Sequence, residues 1–245
     1  MQQHEAVIKT MEELGGVATL GQLNQKVFEI TDCKWGTKTP FATIRRIVQT
    51  RGEIYKIKPG LYGLKKYKNQ NEDKGIIEET EKNKDNREMI EFNHSYYQGL
   101  LLAIGKLKDL QTFAPNQDKN NKFLDKELGW LRTLNEIPCF SYPGIVKRSR
   151  TIDVIWFNNR EMPDSFFEIE HSTDIQNSLL KFNDLQDFHV NMLIVADKKR
   201  GDEYKQKIKY SSFKDINKRV KFLAYDSLAK QYEFYLEKIN FEVTL

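Results

Sequence analysis

The chain runs to 245 residues, 30% of them charged and 39% hydrophobic, with a formal net charge of +4. That length fits one large domain or two modest ones with real apolar cores, and no run of about 18 apolar residues offers a membrane span. The opening MQQHEAVIKT lacks the apolar stretch of a secretory signal, and Cys33 and Cys139 sit outside any metal-ligand spacing, so an intracellular, cytoplasmic protein without a disulfide framework or zinc finger is expected.

Charge divides the chain. From Met1 to Lys66, Lys and Arg outnumber Asp and Glu by 11 to 6; from Tyr67 to Ile90 the balance is 5 to 7, and from Glu91 onward it is 23 to 22. The basic excess therefore lies in the first quarter.

Val7, Ile8, Met11 and Leu14 fall at helical spacing from His4 to Leu14, and Gly15-Gly16 stops that helix. A second helix is predicted over Leu20 to Ile30, with Leu20, Leu23, Val27 and Phe28 on one face. Thr39-Pro40 opens a third, FATIRRIVQTR, with Thr as N-cap and Pro at the first helical position. It buries Phe41, Ile44, Ile47 and Val48 and offers Thr43, Arg45, Arg46, Gln49 and Arg51 on the other face. EIYKIKPGLYGLKK then alternates apolar and basic residues around Pro59-Gly60, the mark of a β-hairpin.

Three helices and a basic hairpin make a winged helix-turn-helix. Its third helix would enter a major groove while Lys56, Lys58, Lys65 and Lys66 meet phosphates. A merely solvated face is the bland alternative, and winged helices also mediate protein contacts; Arg45 and Arg46 together favour double-stranded DNA. EAVIKTMEELG, TPFATIRRIVQ and IYKIKPGLYGL, over roughly the first 65 residues, resemble the HARE-HTH winged-helix modules, which implies DNA binding without implying a particular site sequence.

Domain boundaries follow: a winged helix over 1–66, a polar linker over 67–90 that is too poor in apolar residues to bury much surface, and a second domain over 91–245. The second domain opens with a helix predicted over Asn93 to Lys108, and QTFAP forms a first strand. TIDVIWF and SFFEIEHS read as adjacent antiparallel strands, the first carrying Asp153 and the second Glu168 and Glu170. A helix over Asp174 to Leu185, a buried strand in VNMLIVAD, a strand in VKFLAYD and a helix over Ser227 to Ile239 complete the order.

Residues two apart on a strand share a face, so Glu168 and Glu170 point together, and Asp153 opposite them makes three carboxylates at one spot. Crowded, buried anions need a positive partner; a hard divalent cation, Mg²⁺ with Mn²⁺ as its substitute, is the economical one. Such a cation positions water for attack on a phosphodiester. Acids on strands are often solvated and inert, but these interrupt the apolar runs IDVIW and FFEIE, where a functional site breaks the local rule.

The order helix, strand, Asp strand, Glu-x-Glu strand, helix, strand over roughly Asn93 to Val195 resembles the PD-(D/E)XK nuclease fold, a mixed sheet flanked by helices. FFEIEHSTDIQNSLLKFNDL, HSYYQGLLLAIGKL and TFAPNQDKN are similar to runs in restriction-endonuclease-like proteins. The resemblance implies that Asp153 and Glu168 bind metal and that cleavage leaves a 5′-phosphate. Glu170 stands where the family pattern has Lys, and it can accept a proton from water but cannot supply the Lys charge. Gln98, His171 and Lys181 are accessory candidates, Lys181 as a replacement for the absent Lys; each is also an ordinary surface residue type. Asp118 and Lys119 lie in a loop near DNA, and Gln176 and His189 carry weaker signals.

No GxxxxGK[ST], HExxH or GxSxG pattern is present. The expectation is an α+β, two-domain, type II restriction-like endodeoxyribonuclease. It would act as a homodimer on DNA, with any methyltransferase a separate protein. A DNA-binding protein with an inactive nuclease fold, serving regulation or defence, is the alternative.

Overall fold

The computed structural model describes residues 1–243. The protein is α+β and divides into two compact units, Met1–Met89 with Ala229 onward, and Ile90–Leu228. No helix among the described residues is long and apolar enough to cross a membrane.

In the first unit α1 (Gln3–Glu13) ends at Gly15 and Gly16, whose φ of 81° and 88° suits residues without a Cβ. A Cβ on Gly16 would also lie 2.5 Å from the Tyr67 ring. β1 (Val17–Thr19) leads into α2 (Leu20–Lys26) through a capping box: the Gln22 amide donates to the Thr19 hydroxyl, and the Gln22 side chain accepts from the Thr19 amide. The predicted helix to Ile30 is shorter than expected. A 3₁₀ turn over Val27–Glu29 replaces its end, and the tighter winding moves Phe28 off the apolar stripe to meet Trp35 and Phe41 edge-on.

α3 (Pro40–Thr50) begins at the expected proline, but the Thr39 hydroxyl makes no cap; the Thr39 carbonyl instead accepts from the Thr43 amide. β2 (Ile54–Lys58) and β3 (Leu61–Leu64) form the hairpin, with Gly60 at φ 74°, and β1 pairs with the free edge of β3. The core joins Ala6, Val7, Met11, Leu20, Leu23, Ile44, Val48 and Leu64. Residues 67–90 contain α4 (Lys68–Asp73) and bury Asn71, Ile76 and Met89.

The second unit starts on α5 (Arg87–Leu107), several residues earlier than Asn93. β4 (Gln111–Phe113) follows. A long connection then carries the short pair β5 (Lys122–Phe123) and β6 (Lys126–Glu127), the turn of helix α6 (Leu128–Leu131) and α7 (Pro143–Ser149). β7 (Val154–Phe157), β8 (Pro163–Glu170), α8 (Ile175–Asp184), β9 (Asn191–Ala196), α9 (Gly201–Lys207), β10 (Val220–Ala224) and α10 (Tyr225–Val243) complete the order. The closing helix, expected in the C-terminal domain, groups from Ala229 onward with the first unit.

The sheet runs β10-β9-β8-β7-β4. Pairing is antiparallel from β4 through β7 to β8 and parallel from β8 through β9 to β10, so the parallel steps need the crossovers that α8 and α9 supply. Alternation sorts the faces. Ile155, Phe157 and Phe166 pack with Ile175, Leu179 and Phe182 of α8, whereas Trp156 turns the other way and donates its indole N–H to the Leu101 carbonyl of α5 at 3.0 Å. Glu168 and Glu170, two and four residues beyond Phe166, thus share the α8 face.

Candidate active site

The β7–β8 register sets Val154 against Phe167 and Ile155 against Phe166, which brings Asp153 opposite Glu168. Asp153 lies just before β7 rather than within it. One of its carboxylate oxygens accepts from the Ile169 amide at 2.7 Å, and the Asp153 amide approaches Glu168 Oε1 at 3.4 Å. These two acids meet as the sequence suggested.

α8 supplies their polar lid. Ile175, Leu179 and Phe182 bury the apolar stripe, leaving Ser178 and Lys181, one turn apart, above the strand carboxylates. Ser178 donates to Glu168 Oε2 at 2.9 Å and also to Glu170. The Lys181 ammonium donates to Glu168 Oε2 at 2.7 Å and to the Thr151 carbonyl at 2.9 Å. Lys181 is therefore drawn against the strand acids and is not a solvated surface lysine.

Glu170 is engaged differently. Its two oxygens accept from Ser178 and Thr173, and Arg200 stands 4.0 Å away while donating to the carbonyls of His171 and Thr173. Glu170 shares the face of Glu168 but is held by its own hydrogen bonds. His171 follows the end of β8 and lies 3.1 Å from the Asn93 side-chain nitrogen.

α5 contributes the other wall. His94 Nε2 lies 3.2 Å from Asp153 Oδ2. Gln98, fully buried rather than solvated, donates to Asp118 at 2.9 Å and to the Asp153 carbonyl at 3.1 Å. Sequence reasoning missed His94, Ser178 and Arg200. The first had a signal, since His94 and Gln98 stand one turn apart on a helix face; Arg200 had none.

Electrostatics tie these groups together. Burial and the Asp153 charge push Glu168 up to about 8, against the opposing Lys181 and Ser178. Burial also works to raise Asp153, but the His94 hydrogen bond and the charges of His94 and Lys181 overcome it and hold Asp153 below the usual carboxylate range. Burial disfavours a charged His94, yet Asp153, with Asp118 and Glu168 further off, carries it up to about 9. For Lys181, too, the neighbouring carboxylates outweigh burial and raise its pKa. Burial raises Glu170 against the hydrogen bonds from Ser178 and Thr173.

At neutral pH the site thus carries one ionised and one protonated acid opposite two cations. The crowded carboxylates do not require an external cation to be tolerated, contrary to the charge argument from sequence, because Lys181 and His94 supply the positive charge. Among the described residues, no group of three or more His, Cys, Asp and Glu side chains is arranged to hold a metal. The donor chemistry nevertheless fits Mg²⁺, which commonly binds through one or two carboxylates and keeps several waters. Asp153 and Glu168 provide that pair, and Gln98 Oε1 is a buried oxygen without a hydrogen-bond partner.

In the first unit, Arg46, Arg51 and Lys56 are exposed, as is Gln49, which hydrogen-bonds Tyr62. Thr43 is half-buried and its hydroxyl donates to the Thr39 carbonyl at 3.3 Å. Arg45 is engaged by Glu233 at 3.1 Å and Glu237 at 3.7 Å. Lys58 is 4% exposed, and its ammonium donates to Glu79 at 2.6 Å, so in this structure it faces a carboxylate inside the unit rather than a phosphate. Its position in the hairpin sequence gave no hint of that partner.

A mixed sheet flanked by helices, with Asp, Glu and Lys meeting at one strand pair, is compatible with a nuclease-like core. The model of the type II restriction enzyme NmeDI C-terminal domain matches residues 75–244. The chain belongs to that family. It is similar to the type II restriction enzyme NmeDI of Neisseria meningitidis serogroup C, with 23% identity over 159 residues, a match that covers 61% of this chain and 45% of that protein. The chain thus spans about half the length of this curated relative. No solved structure matches.

Proposed function

We propose that the chain is a Mg²⁺-dependent, restriction-type DNA endonuclease, with Mn²⁺ able to replace Mg²⁺ and the basic N-terminal unit gripping duplex as a winged helix. The observation that carries the reading is the ammonium of Lys181, 2.7 Å from Glu168 and supplied by α8 where Glu170 occupies the strand position of the family's Lys. It gives the Asp153–Glu168 pair the cation that the strand lacks.

Asp153 and Glu168 would hold the metal, with Gln98 Oε1 as a further oxygen donor. A bound Mg²⁺ supplies Lewis acidity toward the phosphate and lowers the pKa of water. Lys181 stabilises negative charge growing on the phosphate, an electrostatic role that acts strongly in a partly desolvated site. His94 holds the Asp153 carboxylate in place through its hydrogen bond, and Ser178 orients Glu168. Glu170, already satisfied by Ser178 and Thr173, buttresses the α8 lid.

Cutting both strands takes two such sites, so a homodimer assembled on DNA is part of the proposal. A methyltransferase protecting the host would be a separate protein. The test is plasmid cleavage with Mg²⁺, against EDTA and Asp153→Ala controls. Cleavage dependent on both supports the reading; undiminished cleavage by Asp153→Ala refutes the site. If Mg²⁺ and Mn²⁺ neither bind by calorimetry nor support cleavage, the protein is an inactive nuclease fold that binds DNA.

A further inference from the structure

An open cleft of about 570 Å³ lies in the long β4–β7 connection, lined by Lys119, Asn120, Trp130, Arg132 and Asn135 among others. We propose that this cleft binds a nucleobase unstacked from DNA, with Trp130 as the stacking platform. The proposal rests on the nuclease reading above.

Four observations carry it. Trp130 is 81% exposed, an extreme for the largest apolar side chain, and it stands on the single turn of α6 at the cleft wall. The wall is pinned in advance. The Gly129 amide donates to the Lys119 carbonyl at 2.8 Å, the Leu128 amide donates to Asn121 at 2.9 Å, and Arg132 donates to the Ala114 carbonyl at 2.8 Å. A Cβ on Gly129 would sit 3.0 Å from the Lys119 carbonyl oxygen, so the close approach that forms the wall suits glycine.

The lining is also balanced in charge, because Glu127 and Glu136 face the same cleft as Lys119 and Arg132. A phosphate would meet two carboxylates there. An uncharged ring suits the lining better: its faces stack on indole, and its edges pair with amides, arginine and carboxylates. Finally, the cleft adjoins the candidate active site through one residue. Asp118, next to Lys119, accepts from the same Gln98 nitrogen that donates to the Asp153 carbonyl.

The experiment titrates the full chain with a labelled single-stranded oligonucleotide and with a labelled abasic strand of equal length, following tryptophan emission for quenching and the anisotropy of the label for affinity. Trp156 is buried and Trp35 half-buried, so Trp130 is the indole open to solvent. The base-bearing strand is expected to quench emission and to lose affinity on the order of tenfold in Trp130→Ala, with Trp130→Phe retaining part of it. The abasic strand should bind both forms alike. Equal quenching by the two strands, or unchanged affinity of Trp130→Ala for the base-bearing strand, overturns the proposal. Because no cleavage is read, failure here is separate from failure of the nuclease reading, which the plasmid assay decides. Trp130 contributes little to the core, and an unchanged melting temperature in Trp130→Ala verifies that the fold is intact.

Discussion

Replacing Lys181 with Met removes the ammonium while keeping most of the stem that packs on α8. The wild-type ammonium makes hydrogen bonds to Glu168 at 2.7 Å and to the Thr151 carbonyl at 2.9 Å. Hydrogen bonds to charged groups are worth about 1.5–3 kcal/mol each, and breaking a buried ion pair costs about 3–5 kcal/mol when the surviving charge is stranded. Glu168 escapes that fate. Its pKa is already raised to about 8, so at neutral pH it is held protonated and losing Lys181 strands no bare carboxylate. The net loss is then about 2 kcal/mol, a fall in melting temperature of about 4–8 °C for a chain of this size. Cleavage suffers more, because a charge aimed at the phosphate contributes on the order of 10²–10³ in rate. The assay is initial-rate plasmid nicking with Mg²⁺ in parallel with thermal melting, using the exposed Lys218→Met as control. Lys181→Met cutting at the control's rate would refute the assignment of Lys181 to the chemistry.

Other consequences follow from the same geometry. In EDTA, the melting temperature should fall as pH rises. The folded pKa of Glu168, about 8, and of His94, about 9, both lie above their unfolded values. The Glu168 contribution is therefore complete below about pH 4.5 and lost by about pH 8, and the His94 contribution is complete below about pH 6.5 and lost by about pH 9, whereas Asp153, depressed, contributes evenly from pH 6 to 9. A flat melting profile from pH 6 to 9 would contradict these couplings. Gly99→Ala should destabilise by about 1–3 kcal/mol despite the better helix propensity of Ala, because the new Cβ would lie 2.2 Å from the Phe123 ring and overpack it; chemical denaturation measures this. Arg46→Ala should weaken binding to duplexes of any sequence and reduce the slope of log affinity against log salt by about 1, read by fluorescence anisotropy across a salt series.

Local signals in the chain carried different elements to different depths. Thr39-Pro40 and Pro59-Gly60 mark the start of α3 and the hairpin turn because those residues restrict or permit particular backbone angles regardless of context. The end of α2 was less legible: Val27 and Phe28 continue the apolar spacing, and only packing against Trp35 and Phe41 shows that the winding tightens. Lys58 alternates with Ile57 as a hairpin's outward lysine would, yet a bulge in the β2–β3 register and the presence of Glu79 turn it inward.

In the candidate site, the carboxylates were legible because an acid inside an apolar strand is chemically conspicuous. FFEIE and IDVIW announce Glu168, Glu170 and Asp153 without any knowledge of the fold, and period-two alternation puts the two glutamates on one face. Their charge states and partners were not. Lys181 and His94 look like any helix lysine or histidine until α8 and α5 bring them to 2.7 Å and 3.2 Å of the acids. Ser178, Thr173 and Arg200 likewise draw Glu170 into a network of its own, though its sequence position equals that of Glu168 in every local respect. Periodicity and residue type follow from interactions a few residues long and so can be read along the chain. The pairing of one ion with another depends on distances between segments that meet only when the sheet closes.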